Sequence, residues 1–266
     1  GQGTETVFSQ IAADAAGIDV SQVSFAVPST TTVPDSGPTV ASRTVMVVGA
    51  IVEQAAAAVA AQVRAAGRDD ESWVDAADRL LAEHGELSVL KQYEPPSWVD
   101  WDETTYKGDA YPVYAWSCDI AEVEVDLDTF EVRVLQFWTA ADVGKAINPV
   151  MCRGQLEGGA LQAIGWALSE DIVWRDGHIL NPRMTNYIVP TALDAPRFET
   201  ILVECPYPHG PGGGAKGIGE LPMDGGAPAV AAAIEHATGV SMDHLPLLPE
   251  RLLLASMAGT TAQGAI

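Results

Sequence analysis

An α+β fold is what the 266-residue sequence predicts, on three observations. Several stretches repeat apolar residues at helical spacing, one pair of stretches alternates polar with apolar residues, and the two kinds follow no steady βαβ rhythm. The first helix is expected over residues 4–16, where Val7, Phe8, Ile11 and Ala12 share a face and Gly17 supplies the stop. Residues 20–27 read as a strand and 28–38 as a loop rich in Ser, Thr and Pro. A long helix follows over 41–66, so rich in Ala and Val that burial on all sides is expected. Residues 73–84 form a shorter amphipathic helix, with Gly85 after it.

Residues 93–111 hold Pro95-Pro96 with several aromatic and acidic residues, and they read as a linker between a unit at 1–92 and another at 112–266. Beyond it, 118–125 and 131–137 alternate on either side of Asp126-Leu127-Asp128-Thr129. Glu122, Glu124, Glu131 and Arg133 then fall on the wet face of a β-hairpin. Residues 152–169 are helical, 201–205 strand-like, and 225–238 helical with Pro228 near the start. A closing helix fits 251–257.

A formal charge of −22 excludes nucleic acid and anionic membranes as natural partners, because both would repel such a surface. The most apolar stretch, 45–61, is broken by Glu53 and Gln54 and reads as a buried helix, not a span. No basic, then apolar, then small-residue leader opens the chain, so no cleaved signal is expected. Cys118, Cys152 and Cys205 lie far apart without C-x-x-C spacing, and the five histidines are scattered. That pattern suits neither zinc nor an iron–sulfur cluster held by this chain. Free thiols in the reducing cytoplasm are expected instead.

The most informative stretch is H-G-P-G-G-G-A-K-G-I-G-E-L-P, residues 209–222. So many glycines cost folding entropy, and they make sense where backbone comes close to something bulky. A phosphate-binding Walker loop fails, because Ala215 precedes Lys216 and Gly217 follows it. Gly212, Gly214 and Gly217 satisfy G-x-G-x-x-G, but Pro222 interrupts the helix that a dinucleotide turn needs. Glu220 is the one carboxylate of the loop.

Ala215-Lys-Gly-Ile-Gly-Glu-Leu-Pro222 closely resembles the closing motif of the molybdenum-binding subunit in the xanthine dehydrogenase and aldehyde oxidoreductase family. Three further stretches resemble that subunit in the same order. They are Gly1-Gln2-Gly3 with Gln10-Ile11-Ala12, then Pro38-Thr-Val-Ala-Ser-Arg-Thr44, then Asp142-Val-Gly-Lys-Ala-Ile-Asn-Pro149 with Gly154-Gln-Leu-Glu-Gly-Gly159. The likeness covers nearly the whole chain. It implies the C-terminal half of the molybdopterin-binding domain of xanthine oxidase-like enzymes. Residues 1–92 would be a partial first subdomain, and 112–266 a second that carries the catalytic glutamate.

The resemblance also implies roles. Glu220 would be the base beside the molybdenum, and Gln155 would hydrogen-bond an oxygen ligand or the dithiolene region. Gln2, Ala41, Ser42 and Thr44 would touch the pterin, expected in its cytosine dinucleotide form, while Lys216 and Gly217 line the same cavity. Molybdenum would be held by the pterin's sulfurs, with no protein ligand. The implied reaction hydroxylates an electron-poor carbon, a purine or other N-heteroaromatic first and an aldehyde second, with oxygen from water. A carbon monoxide-oxidising member, or a non-catalytic subunit that kept only the fold, are the alternatives. Electrons would leave through 2Fe-2S clusters and FAD on partner chains. Another partner would supply the preceding half of the subunit, by fission of the gene or by proteolysis.

Plainer roles compete for the same residues. Gln155 could cap its helix, Ser42 and Thr44 could satisfy the first N–H groups of theirs, and Lys216 could be an ion-pair partner. Gly154, Gly158 and Gly159 are expected to permit close helix packing.

Overall fold

The structure, a computed structural model, describes residues 3–263, with side chains to residue 258. In chain order it begins with α1 (Thr4–Ala16), α2 (Ala50–Ala66, continuing a π-helical start at Thr44–Gly49) and α3 (Trp73–His84). Two short strands, β1 (Trp101–Asp102) and β2 (Lys107–Gly108), precede β3 (Ser117–Val125), β4 (Val132–Asp142) and α4 (Pro149–Leu168). The small pair β5 (Trp174–Arg175) and β6 (His178–Ile179) leads to β7 (Arg197–Val203). The single turns α5 (Pro211–Gly214) and α6 (Leu221–Asp224) follow, and α7 (Gly226–Thr238) and α8 (Pro249–Gln263) close the chain. The fold is α+β, as expected.

Contacts divide the chain into two compact units, neither continuous in sequence. The first comprises Gly1–Ala115, Val143–Met151 and Glu204–Gly217; the second comprises Trp116–Asp142, Cys152–Val203 and Ile218–Ile266. The supposed linker at 93–111 lies inside the first unit. There Trp98 donates from its indole N–H to the Pro112 carbonyl at 3.2 Å and meets the His209 ring edge-on at 4.9 Å.

In the first unit α1 packs on α2. Gly17 ends α1 in the left-handed conformation, its N–H reaching the carbonyls of Ala13 and Asp14. The Arg64 guanidinium on α2 donates to the Ala16 carbonyl at that same end. Val63 on α2 and Ala76 and Leu80 on α3 form a small core. Arg79 fastens α3, donating to the Ala66 carbonyl at 2.7 Å and to both oxygens of Glu71. Those bonds hold the Glu71 carboxyl down to about 2.

Two expectations for this unit fail. Residues 20–27 form no strand: Asp19 accepts from the amide and hydroxyl of Ser21, Gln22 accepts from the Asp19 amide, and the backbone is drawn into a 3-10 turn at Val20–Gln22. The long helix is not buried all round. Val47, Gly49, Ala50, Ala60 and Val63 are buried, whereas most of its other residues are half-exposed, because its neighbours in this unit cover one face. The helix Thr44–Ala66 contains an 18-residue window of mean hydropathy 1.8, and by length and composition alone it could cross a membrane.

The second unit is built on the sheet β3-β4-β7. The predicted hairpin forms, with Ser117 opposite Ala141 and a bulge between Glu122 and Val123. β7 runs parallel to β4, Gln136 opposite Arg197 and Asp142 opposite Val203. Val134 and Phe137 of β4 pack with Ala160, Ile164 and Ala167 of α4 and Ala227, Val230 and Ile234 of α7. Phe137, Val230 and Leu252 are wholly enclosed, and burial at that level stabilises the fold by about 1.5–3 kcal/mol for each large side chain. Gly226 lets α7 approach α4, since a β-carbon there would lie 2.5 Å from that of Ala163.

Candidate functional site

Each unit gathers some of the candidate residues. In the first, Ala41 and Ser42 are consecutive left-handed residues, with φ of 52° and 56°. Each costs about 1–2 kcal/mol relative to ordinary backbone, and strain of this kind concentrates at ligand clamps. Arg43 holds the turn shut, its guanidinium donating to the carbonyls of Ser36 at 2.6 Å and Pro38 at 3.1 Å. The π-helical start Thr44–Gly49 follows with no side-chain cap from Arg43, and π-helical turns are frequent at functional sites. The helix expected from residue 41 therefore starts later, and Ala41 and Ser42 form the turn before it.

Gly217 lies against this turn. A β-carbon at 217 would sit 1.7 Å from the Ser42 carbonyl oxygen, so only glycine fits. Lys216 is buried, its amide donating to the Val143 carbonyl at 3.1 Å and its Nζ to the Tyr114 carbonyl at 3.0 Å. Gly144, at φ 68°, pairs with Ala215, and the Lys145 amide donates to Gly214 at 3.0 Å. The Lys145 ammonium binds Glu204 at 2.8 and 3.0 Å, and the Ala146 amide adds a third bond. These bonds hold the Glu204 carboxyl below its usual range, Lys145 contributing most. Three stretches far apart in sequence, around Ser42, Gly144 and Gly217, thus meet in one unit. Gln2 lies outside the described residues.

In the second unit α4 carries the other candidates. Gln155 is not a cap. The helix begins at Pro149, and the Asn148 side chain accepts from the Met151 amide at 3.1 Å in the capping role. The Gln155 side-chain amide instead donates to the Gly219 carbonyl at 2.8 Å. One turn further on, a β-carbon at Gly159 would lie 2.3 Å from Pro222, so the helix touches the chain there directly. Residues 155 and 159 share a helix face. They grip the chain immediately before and two residues after Glu220, which is exposed at the start of α6.

The glycines of this helix divide. Gly159 permits close packing as expected, but a β-carbon at Gly154 or Gly158 would meet nothing within 4 Å. These two, four apart, leave an open strip of backbone beside Gln155. Among the described residues no group of three or more His, Cys, Asp or Glu could hold a metal ion. Sequence reasoning did not foresee Asn148 as the cap of α4 or Glu204 as the partner of Lys145; the Asn-Pro pair at a helix start was the available signal for the first.

The molybdopterin cofactor-binding domain matches residues 1–196. The gamma subunit of the 6-hydroxypseudooxynicotine dehydrogenase complex of Paenarthrobacter nicotinovorans is 30% identical over 95% of this chain and 34% of its own length. A putative xanthine dehydrogenase molybdenum-binding subunit of Escherichia coli is 30% identical over 95% of this chain and 36% of its own. Among solved structures, aldehyde oxidoreductase from Desulfovibrio gigas superposes with a TM-score of 0.83 at 29% identity, over 96% of this chain and 28% of that one. Quinoline 2-oxidoreductase from Pseudomonas putida 86 gives 0.76 at 29%, over 97% and 35%. The chain spans about a third of the length of the curated relatives it matches.

Proposed function

This chain belongs to the xanthine dehydrogenase and aldehyde oxidoreductase family of molybdopterin cofactor-binding domains, and from that premise we propose that it forms part of the molybdenum-binding subunit of a hydroxylase. The reaction inserts a water-derived oxygen at an electron-poor carbon. A nitrogen heteroaromatic is the first substrate class, in line with the xanthine- and quinoline-oxidising names among its relatives. Aldehyde oxidation is the second reading, favoured by the TM-score of 0.83 to an aldehyde oxidoreductase.

The residues present fit the cofactor. The open backbone at Gly154 and Gly158 would leave room for a bulky group beside α4. The donors in the strained 41–44 turn suit an anionic pterin, with Ser42 and Thr44 hydroxyls at the start of a helix. When bound, the cofactor supplies the two-electron oxidation.

The chain's own part is positional and acid–base. Glu220 accepts the proton from the attacking water-derived oxygen, a task that needs a carboxylate within hydrogen-bond reach and held still. The observation that carries this reading is the two-point grip of α4: the Gln155 bond to Gly219 and the Gly159 contact with Pro222, on either side of Glu220. Thr44, Ser42, Lys216 and Gly217 bind the pterin and its cytosine dinucleotide extension. In this reading the remainder of the molybdenum subunit, an iron–sulfur chain and an FAD chain complete the assembly.

Glu220→Gln in the assembly tests the assignment. Molybdopterin content stays at the wild-type level while turnover falls by about three orders of magnitude, because only the base is removed. Turnover within a few-fold of wild type removes Glu220 from the mechanism.

A further inference from the structure

Glu53 is the only acid in the apolar helix 44–66. A carboxylate there is unfavourable unless it is paired. Its Oε1 accepts from the Gly212 amide at 2.9 Å, a bond between residues 159 positions apart. One turn earlier on the same helix face, a β-carbon at Gly49 would come within 3.1 Å of Pro211 and of Ile11. Gly49 and Glu53 therefore make a receptor for the Pro211–Gly212 turn: the glycine gives room for the ring, and the acid takes the amide.

The turn is gripped from its other side as well. Gly212 is left-handed at φ 58°, and a β-carbon there would overlap the Ile147 side chain at 2.0 Å. The Gly214 carbonyl accepts from the amides of Lys145 and Tyr207 at 3.0 and 2.9 Å. Two residues beyond Gly214 come Lys216 and Gly217, the latter lying on the Ser42 carbonyl. The helix that starts from the Ser42 turn thus also fixes, through Glu53, the loop that returns to that turn. We propose that Glu53 is a positioning residue, whose carboxylate sets the glycine turn so that Lys216 and Gly217 complete the molybdopterin-binding turn at Ala41–Thr44. The functional half of this statement rests on the molybdopterin reading above.

Three substitutions separate the acceptor from the charge and from the bulk. Glu53→Gln keeps an oxygen acceptor at the same reach. Glu53→Asp keeps the charge but withdraws it by one methylene. Glu53→Leu removes the acceptor and suits the apolar helix better. The readouts are hydrogen exchange of the peptide over residues 206–217 and pterin content, on the protein isolated with whatever chains co-purify. Exchange rises about tenfold or more in the Asp and Leu forms, as loss of one amide bond predicts, and pterin content falls several-fold; the Gln form stays within about twofold of wild type in both. Melting temperatures of Asp and Gln forms stay close to wild type, so a Leu form that fails to fold leaves the comparison intact. Wild-type exchange in Glu53→Asp, or equal damage in Asp and Gln forms, overturns the assignment. Wild-type protein that carries no pterin, yet shows the same exchange pattern across the variants, ends the cavity reading and leaves the tether in place.

Discussion

The two units hold their candidate residues by different means. Around Ser42 and Gly217 each fixing contact ends on backbone: two left-handed non-glycine residues, a glycine with no room for a β-carbon, amides paired between the 143–148 and 210–217 segments, and the side chains of Arg43, Lys216 and Glu53 bonded to backbone groups. Around Glu220 the fixing elements include a side-chain hydrogen bond and a contact, both from a single helix face. A site built from backbone fails sterically when it is changed, and takes the local fold with it. One built from a helix face can lose a contact and remain folded. Steric changes at the Ser42–Gly217 approach should therefore show first in stability, and changes around Glu220 in chemistry.

The largest effect expected from that contrast is at Gly217. Gly217→Ala forces a methyl into the Ser42 carbonyl oxygen, and overpacking of this kind costs about 3 kcal/mol. Thermal unfolding should show a drop of many degrees together with loss of pterin. An unchanged midpoint would mean that the two strands of chain are not held at this distance.

Gln155→Ala comes next. It deletes one hydrogen bond, worth about 1 kcal/mol, so the midpoint moves little. Steady-state kinetics should show turnover reduced about tenfold, less than for Glu220→Gln, since the base remains but is no longer held. Full rate with full cofactor would reduce Gln155 to a packing residue.

Gly158→Ala sharpens the comparison from the opposite side. The new β-carbon meets open space, and alanine in a helix interior is favoured over glycine by about 0.5–1 kcal/mol. The melting temperature should rise slightly while pterin content falls. Greater stability with unchanged pterin content would show that the strip beside Gln155 carries no ligand.

How far the sequence revealed this depended on the range of the forces involved. The helices at 4–16 and 73–84 and the hairpin around Asp126–Thr129 were legible, because spacing, stop glycines and turn residues act locally. The 20–27 segment misled because Asp19 and Gln22 bind their own backbone, which apolar periodicity does not register. Ala41 and Ser42 read as the start of a helix, since nothing in an alanine forecasts a left-handed turn. Glu220, Gln155, Lys216 and Gly217 were singled out through family resemblance and the glycine-rich loop. Their partners, the Tyr114 carbonyl, the Ser42 carbonyl and the Gly219 carbonyl, are backbone atoms that no residue pattern names. Glu53 was visible as a break in an apolar run, but its bond to Gly212 spans 159 positions and only the fold discloses it.

The most direct test of the account is the pterin itself. The protein is isolated with its co-purifying chains, its pterin is released and oxidised to a fluorescent derivative, and molybdenum is measured in the same sample. The account predicts about one pterin and about one molybdenum per chain. A folded, intact assembly that carries neither would contradict it.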